Sequence, residues 1–266
     1  MLRLLKTDYK RIFKDKLFLI TCIIGMAFAI LGPFLYKLLE MMMFTEEDKE
    51  FLGSMFYAKT FFISAFSLSN NFGLIVSILI TIVVCKDFSF GTIRNKIISG
   101  NKRSQIYLSF FISTASILTG VMFCYSLIAF GMSAIVFPYS PTGFSGGEVG
   151  KLLTILLFEI MALLVAGSLL SFLCVSAKNA GISIIIYVAI SMILSTVTVI
   201  LQTFAYDNEA LINVMKFVPL FGINLIVNQG EEFVFADYLI AISASALYVF
   251  LFSLFGTLIF KKKDLK

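Results

Sequence analysis

Six long apolar runs constrain this chain more than any other feature of its sequence. An α-helix rises about 1.5 Å per residue, so roughly 20 apolar residues can cross about 30 Å of hydrocarbon. The runs are Leu17–Tyr36, Phe66–Cys85, Tyr107–Phe137, Leu152–Val175, Ile182–Leu201 and Tyr238–Phe260. They predict an all-α integral membrane protein with six transmembrane helices, forming a single domain over residues 1–266.

The composition argues against a soluble fold. Apolar residues make up 59% of the chain and charged residues only 14%, whereas soluble domains carry about 25% charged residues. Too few polar side chains remain to cover a soluble core of this size. Histidine is absent and the 4 cysteines lie in or beside the apolar runs, so neither a metal site nor a disulfide framework is indicated.

Basic and acidic residues fall on opposite sides of the predicted membrane. Most Lys and Arg lie before the first run, between the second and third runs, and after the last, whereas acids collect in 46–50 and 207–237. By the positive-inside rule, both termini are expected in the cytoplasm, and the net charge of +5 then reflects topology rather than nucleic-acid binding. The excess of Lys over Arg, with abundant Ile and Phe, points to an AT-rich bacterial genome and hence to a bacterial cell membrane.

Three segments outside the spans carry structural predictions. Residues 1–16 have apolar residues near helical spacing among Lys and Arg, which favours an interfacial amphipathic helix; a basic tail without fixed structure is the alternative. Residues 207–228 contain two short apolar stretches broken at Pro219 and Gly222. We expect a re-entrant outer hairpin there, or else an amphipathic cap on the surface. Ser176–Gly181 predicts a tight inner turn between antiparallel helices.

A polar segment between the second and third spans interrupts the apolar pattern. We predict one short helix at 87–100, with Asp87 capping its start and Gly100 ending it. The helix would place Phe90, Ile93 and Ile97 on one side, Ile98 at the margin, and Thr92, Asn95, Lys96 and Ser99 on the other. It would lie on the inner membrane surface and offer its polar side to a cytosolic partner. The alternative is that its positive charge only retains the loop inside.

The stretch Asp87–Ser109, "DFSFGTIRNKIISGNKRSQIYLS", resembles the loop between the second and third spans of type-2 ATP-binding-cassette export permeases. Members often have Glu at the position of Asp87, which is a mild departure. The basic N-terminal segment and the order of spans extend the resemblance over nearly the whole chain. It implies that this loop is the coupling helix, and that the following residues contact an ATPase: Asp87, Phe88, Gly91, Thr92, Ile93, Arg94, Asn95, Lys96, Gly100 and Arg103.

The resemblance also implies an assembly. The chain has no G-x-x-x-x-G-K-[ST] phosphate loop, so ATP and magnesium would bind to a separate ATPase subunit, present in two copies. A second permease chain, identical or related, would complete the translocation unit within membrane lipid. The implied substrate is a hydrophobic or amphipathic compound, such as an antimicrobial peptide, a toxin peptide or a drug. The protein would then confer antibiotic resistance or bacteriocin immunity and have no catalytic residue or bound cofactor of its own.

A few polar residues in the spans are candidates for the substrate path. Glu159 is the one carboxyl well inside a predicted span, where an ionised group costs about 2.5–3.5 kcal/mol on insertion scales. It would face protein or water or stay protonated. Its role could be contact with a cationic substrate, a gating hydrogen bond, or a structural bond to a hydroxyl on a neighbouring helix; near the outer end of its helix it could also extend to the interface. Asn70 and Asn71 could line an outer entrance or lie among lipid headgroups.

Two other classes of function compete with an exporter. A carrier or channel working without ATP would usually need intramembrane charge pairs or broken helices, and Glu159 alone offers itself. A membrane-embedded enzyme is disfavoured because the chain lacks H-E-x-x-H, a G-x-S-x-G motif with a histidine, and paired intramembrane carboxylates.

Overall fold

The computed structural model of the chain describes residues 1–43, 57–66, 71–89, 91–139, 146–205, 217 and 235–262. These residues are almost entirely helical and contain no strand. In chain order the helices are α1 (Leu2–Lys14), α2 (Lys16–Met43), α3 (Ala58–Phe66), α4 (Asn71–Ser89), α5 (Thr92–Ile98), α6 (Arg103–Val136), α7 (Gly146–Ala177), α8 (Ala180–Ala205) and α9 (Phe235–Lys262).

The length and apolar character of these helices confirm a multi-pass membrane protein. Within the described residues, five helical stretches can cross a bilayer: Lys16–Met42, Arg103–Val136, Leu152–Ala177, Ala180–Val197 and Leu239–Lys262. A sixth candidate arises if Leu74–Phe88 and Thr92–Ile98, which meet at a bend of 56°, are taken as one span. The predicted all-α fold with six apolar runs therefore agrees with five to six candidate spans.

Several helix ends differ from the prediction. The first predicted span ends at Tyr36, but α2 continues to Met43, and a Lys37–Glu40 ion pair one turn apart (2.8 Å) supports the extra turns. The second predicted span begins at Phe66, which instead ends α3. This short helix was not predicted; it packs against α6, where the Ser126 hydroxyl donates to the Phe62 carbonyl (2.9 Å).

Helix α6 is the centre of the bundle. It packs against α1, α2, α3, α4, α5, α7 and α9, and the long buried row Ile106, Phe110, Leu118 and Met122 forms its core-facing side. Helices α6 and α7 approach closely at Gly167, where an added Cβ atom would lie 2.8 Å from the Cα of Ala115. A glycine is required at this crossing because any side chain would push the two backbones apart.

The turn between α7 and α8 agrees with the predicted antiparallel pair. Helix α7 ends at Ala177 and α8 begins at Ala180, and the two helices pack side by side. Lys178 adopts a left-handed conformation (φ 56°), and the Asn179 side chain accepts a hydrogen bond from the Gly181 amide (2.9 Å). By contrast, the predicted outer hairpin at 207–228 lies outside the described residues, apart from Phe217.

The predicted N-terminal amphipathic segment is a helix, so the alternative of a tail without structure is wrong. Helix α1 buries Leu4, Asp8 and Ile12 against the bundle and contacts α6 and α2. The i, i+4, i+8 spacing of these three residues places them on one face. Asp15 ends the helix in an extended conformation and its side chain accepts a hydrogen bond from the Leu17 amide (3.0 Å), at the start of α2.

Candidate functional site

Four charged side chains from three helices meet beneath α5, and we call them the ion cluster: Asp8, Arg11, Asp87 and Lys96. The Lys96 Nζ lies 2.6 Å from Asp8 Oδ1 and 2.9 Å from Asp87 Oδ2. The Arg11 guanidinium pairs with the other oxygen of Asp87. Asp8 and Asp87 are each 1% exposed, so the two acids and two bases form a largely buried, electrically neutral group.

Hydroxyl groups complete the hydrogen bonding of both carboxylates. Ser109 of α6 donates to Asp8 Oδ2 at 2.6 Å, and Thr92 of α5 donates to Asp87 Oδ1 at 2.6 Å. Every carboxylate oxygen of the cluster therefore has a partner, which burial of a charged group requires. The ammonium of Lys96 also lies 4.6 Å from the centre of the Phe110 ring, within the range of a cation–π contact. The cluster thereby joins α1, α4, α5 and α6.

The two bases respond to this environment in the same way. Burial lowers the pKa of Lys96 from its ordinary value, and the Asp8 carboxylate opposes that shift. Burial also lowers the pKa of the Arg11 guanidinium, against the pull of Asp8 and Asp15. Arginine is effectively always protonated in proteins, so Arg11 remains a cation in the cluster at neutral pH.

The predicted start of the short helix at Asp87 is wrong. Asp87 lies in the last turns of α4, which continues to Ser89, and α5 begins only at Thr92. Gly91 separates the two helices because it adopts a left-handed conformation (φ 65°), which glycine reaches without steric cost. The side chain of Asp87 consequently points at Arg11 and Lys96 rather than capping α5.

The predicted orientation of α5 is right for Ile93 and Ile97 and wrong for Thr92 and Lys96. The latter two both face Asp87. Phe90, predicted on the apolar side, lies outside the described residues. Ile93 is buried and Ile97 half-buried, whereas Asn95 and Ser99 are exposed, as expected from the helical period. Lys96 was expected to face the cytosol, but its side chain is only 12% exposed. Hydrophobic periodicity assigns a lysine to the polar side of its own helix. It contains no information about carboxylates on other helices, which here draw Lys96 inward.

The remaining residues of the predicted loop lie around the cluster. Phe88 stacks on Phe110 with ring centres 6.0 Å apart, and Gly100 (φ 85°) ends the α5 segment as predicted. Arg103 begins α6 and donates to the Lys261 carbonyl at 2.8 Å, joining the end of α9. The outward face of α5 presents Arg94, Asn95 and Ile98, the last 73% exposed.

A second ion pair joins the α1–α2 junction to α4. The Lys86 ammonium lies 2.5 Å from Asp15 Oδ2. Burial disfavours the charged form of Asp15, but the hydrogen bond from Lys86, the backbone amides of Leu17 and Phe18 and the charge of Lys86 together outweigh it and lower the pKa of Asp15 below its usual value. Helix α4 is thus connected to the N-terminal segment through Lys86 and, nearer α5, through Asp87.

Glu159 is a buried carboxyl in the first half of α7. Helix α7 begins at Gly146, before the predicted start at Leu152, but its candidate membrane span begins at Leu152 as predicted. The Glu159 side chain is buried, with 4% exposure. In the described part of the chain, no basic side chain forms an ion pair with it.

The structure says little about the other two residues predicted for the substrate path. Asn70 lies outside the described residues, and Asn71 is the first residue of α4. Among the residues with described positions, no group of three or more acidic or cysteine side chains is arranged to hold a metal ion.

Sequence reasoning missed Asp8, Arg11 and Ser109 as parts of this site. One signal was present: Asp8 is an acid within a strongly basic segment, and it falls between Leu4 and Ile12 on the apolar face of α1. A charged residue on the buried face of a helix needs a partner of opposite charge. The identity of that partner, Lys96, could not be read from the sequence because the two residues are 88 positions apart.

Comparison with known proteins gives a family but no activity. The family model described as "Protein of unknown function (DUF2705)" matches residues 18–266. Two members of the ion cluster, Asp87 and Lys96, lie inside the matched range, whereas Asp8 and Arg11 precede it. No curated protein matches the chain.

Proposed function

The chain belongs to the DUF2705 family, whose description names no activity, and we propose from the geometry of the ion cluster that it is the membrane subunit of an ATP-driven exporter. A separate ATPase docks on the outward face of α5 and supplies the energy. Movement of α5 then passes through the ion cluster into the membrane helices. The single observation that carries this proposal is the attachment of α5, a short helix with an exposed outer face, to α1, α4 and α6 through buried charges.

The ion cluster holds α5 rigidly to the neighbouring helices. Removing one partner from a buried ion pair typically costs about 3–5 kcal/mol, so the cluster resists separation of its helices. A force applied at Arg94, Asn95 or Ile98 would therefore displace α4 and α6 together with α5, instead of merely bending a loop. A loop retained by charge alone would not need buried, fully paired carboxylates. The resemblance of Asp87–Ser109 to export permeases supports the same role.

The proposed topology follows the distribution of charge. Both termini, α1 and α5 lie on the cytoplasmic side of a bacterial cell membrane, where Lys and Arg are concentrated. Helix α1 lies in the inner interface, and 207–228 forms a re-entrant hairpin on the outer side. Two ATPase copies, holding ATP and magnesium, and a second permease chain complete the assembly.

The proposed cargo is a hydrophobic or amphipathic compound, such as an antimicrobial peptide, a toxin peptide or a drug, which moves outward. Export of this kind would protect the cell against an antibiotic or bacteriocin. Glu159, buried in the first half of α7, is the side chain best placed to meet a positively charged part of such a compound, and Asn70 and Asn71 would stand at the outer entrance. The chain itself transfers no chemical group.

The test is purification of the tagged chain from native membranes, followed by identification of any ATPase that carries a phosphate-loop motif. Arg94→Glu combined with Ile98→Asp should remove the ATPase, since both side chains are on the outward face of α5. Lys262→Glu, an exposed charge reversal at the end of α9, is the matched control and should retain it. Retention of the ATPase by the double variant would contradict the docking proposal.

Glu159 favours one alternative, a carrier that works without ATP. A buried carboxyl within a candidate span is typical of proton or cation pathways. Transport by the purified chain in sealed vesicles, with a proton gradient and no ATPase, would favour this alternative. Glu159→Gln should then abolish transport.

A further inference from the structure

Helix α1 has a second surface, opposite the one that holds the ion cluster. Leu4, Asp8 and Ile12 face the bundle, whereas Arg3, Lys6, Lys10 and Lys14 are exposed. Successive members of this second set are three or four residues apart, so they form one stripe along the helix. We call these four residues the basic stripe.

The basic stripe has no counter-charge in the described part of the chain. None of the ion pairs formed there includes Arg3, Lys6, Lys10 or Lys14. The first turn of α1 contains no acidic residue, Asp8 is buried on the opposite side, and Asp15 pairs with Lys86. Four exposed cations side by side repel one another, so the stripe is suited to an anionic partner.

Exposed apolar residues border the stripe and show where it lies relative to the membrane. Leu2 is 84% exposed and Phe13 is 55% exposed, on the side of α1 next to Lys6. The Phe13 ring packs edge-on against Phe18, 5.7 Å between centres, in the first turn of α2. Since a candidate span begins at Lys16, the stripe lies beside the point where the chain enters the bilayer. A helix with apolar residues beside a row of cations is typical of binding at the headgroup level.

We infer that the basic stripe of α1 binds anionic phospholipid headgroups, and that this lipid contact bears on the ion cluster through the same helix. On α1, Asp8 pairs with Lys96 and Arg11 pairs with Asp87. A shift of α1 on the membrane surface therefore moves one partner of each of these two ion pairs. The anionic lipid surface thereby influences how firmly α5 is held. The inference rests on the membrane-spanning bundle and does not depend on ATP-driven export.

The test measures binding of phosphatidylglycerol and phosphatidylcholine to the full-length chain in neutral detergent by native mass spectrometry. The wild-type chain should bind phosphatidylglycerol about tenfold more tightly than phosphatidylcholine. Replacing three lysines by K6Q, K10Q and K14Q together should weaken phosphatidylglycerol binding by at least about tenfold, because each cation near an anionic surface contributes about fivefold. Phosphatidylcholine binding should not change.

Two matched variants make the test specific. K6R, K10R and K14R together keep the charge of the stripe and should retain the preference for phosphatidylglycerol. K102Q, K261Q and K262Q together remove the same charge from exposed positions outside α1 and should also retain it. Equal loss in this second control would overturn the inference, because it would show general attraction to a basic end of the bundle. Unchanged phosphatidylglycerol binding in the K6Q, K10Q and K14Q variant would overturn it as well.

Discussion

At the scale of single residues, Lys96 is a largely buried cation whose charge must be balanced by partners on other helices. Among the described residues, it is the one cation that pairs with both buried carboxylates, Asp8 and Asp87, and it also lies over the Phe110 ring. Its loss would leave two acids facing Arg11 alone, with an uncompensated negative charge in a buried site. Its place at the centre of the cluster distinguishes it from the exposed lysines at the same end of the bundle.

We expect Lys96→Met to destabilise the fold by about 3 kcal/mol, as for other broken buried pairs. Adding Asp8→Asn should recover part of that loss, because the cluster then returns to neutrality. Lys102→Met removes an exposed lysine and should change stability by less than about 0.5 kcal/mol. Thermal unfolding of the purified variants measures all three. Equal stability of the Lys96 and Lys102 variants would contradict the structural importance of the cluster.

The Asp15–Lys86 pair gives a prediction for acid pH. The pKa of Asp15 is lowered by Lys86, so this carboxyl stabilises the fold above its unfolded pKa of about 3.9 and loses that contribution as the pH falls through the lower folded value. Lys86→Met should therefore reduce Tm at about pH 7, and the difference from wild type should shrink below about pH 4. Unfolding curves over this range decide it; a difference that stays constant with pH would count against the assignment.

At the scale of helices, the sequence predicts where they lie better than where they end. Apolar runs identified the long helices because length and hydropathy are local properties of the chain. Their ends are set by particular contacts, such as Lys37–Glu40 in α2 and the left-handed Gly91 before α5. The candidate site was half predicted: its loop was found, but Asp8 and Arg11 came from a distant segment whose pairing depends on the folded bundle.

Gly91, at the bend between α4 and α5, should be sensitive to substitution. A side chain at φ 65° costs roughly 1 kcal/mol, so Gly91→Ala should destabilise the junction between α4 and α5 by about that amount. Gly120→Ala, in the middle of α6 with open space around it, should instead stabilise its helix by up to about 1 kcal/mol. The free energies of unfolding of the two variants should have opposite signs relative to wild type. A Gly91→Ala variant as stable as wild type, or more stable, would show that the bend does not depend on glycine.

At the scale of the whole molecule, the cluster joins the N-terminal helix α1, helix α4, the short helix α5 and the central helix α6 in one charge network. Because α6 packs against most of the other described helices, a displacement of α5 that moves α6 would also move much of the membrane domain. This arrangement is the basis for proposing that α5 receives force from a cytosolic ATPase.

Site-specific photo-cross-linking from α5 in native membranes tests that proposal most directly. The cross-linking side chain is placed at Asn95, on the exposed face of α5, and, as a control, at Thr154 in the first half of α7. We expect a cross-link from Asn95, and none from Thr154, to a protein that carries an ATP-binding phosphate loop. Absence of such a protein from the Asn95 products, or its equal capture from Thr154, would contradict it.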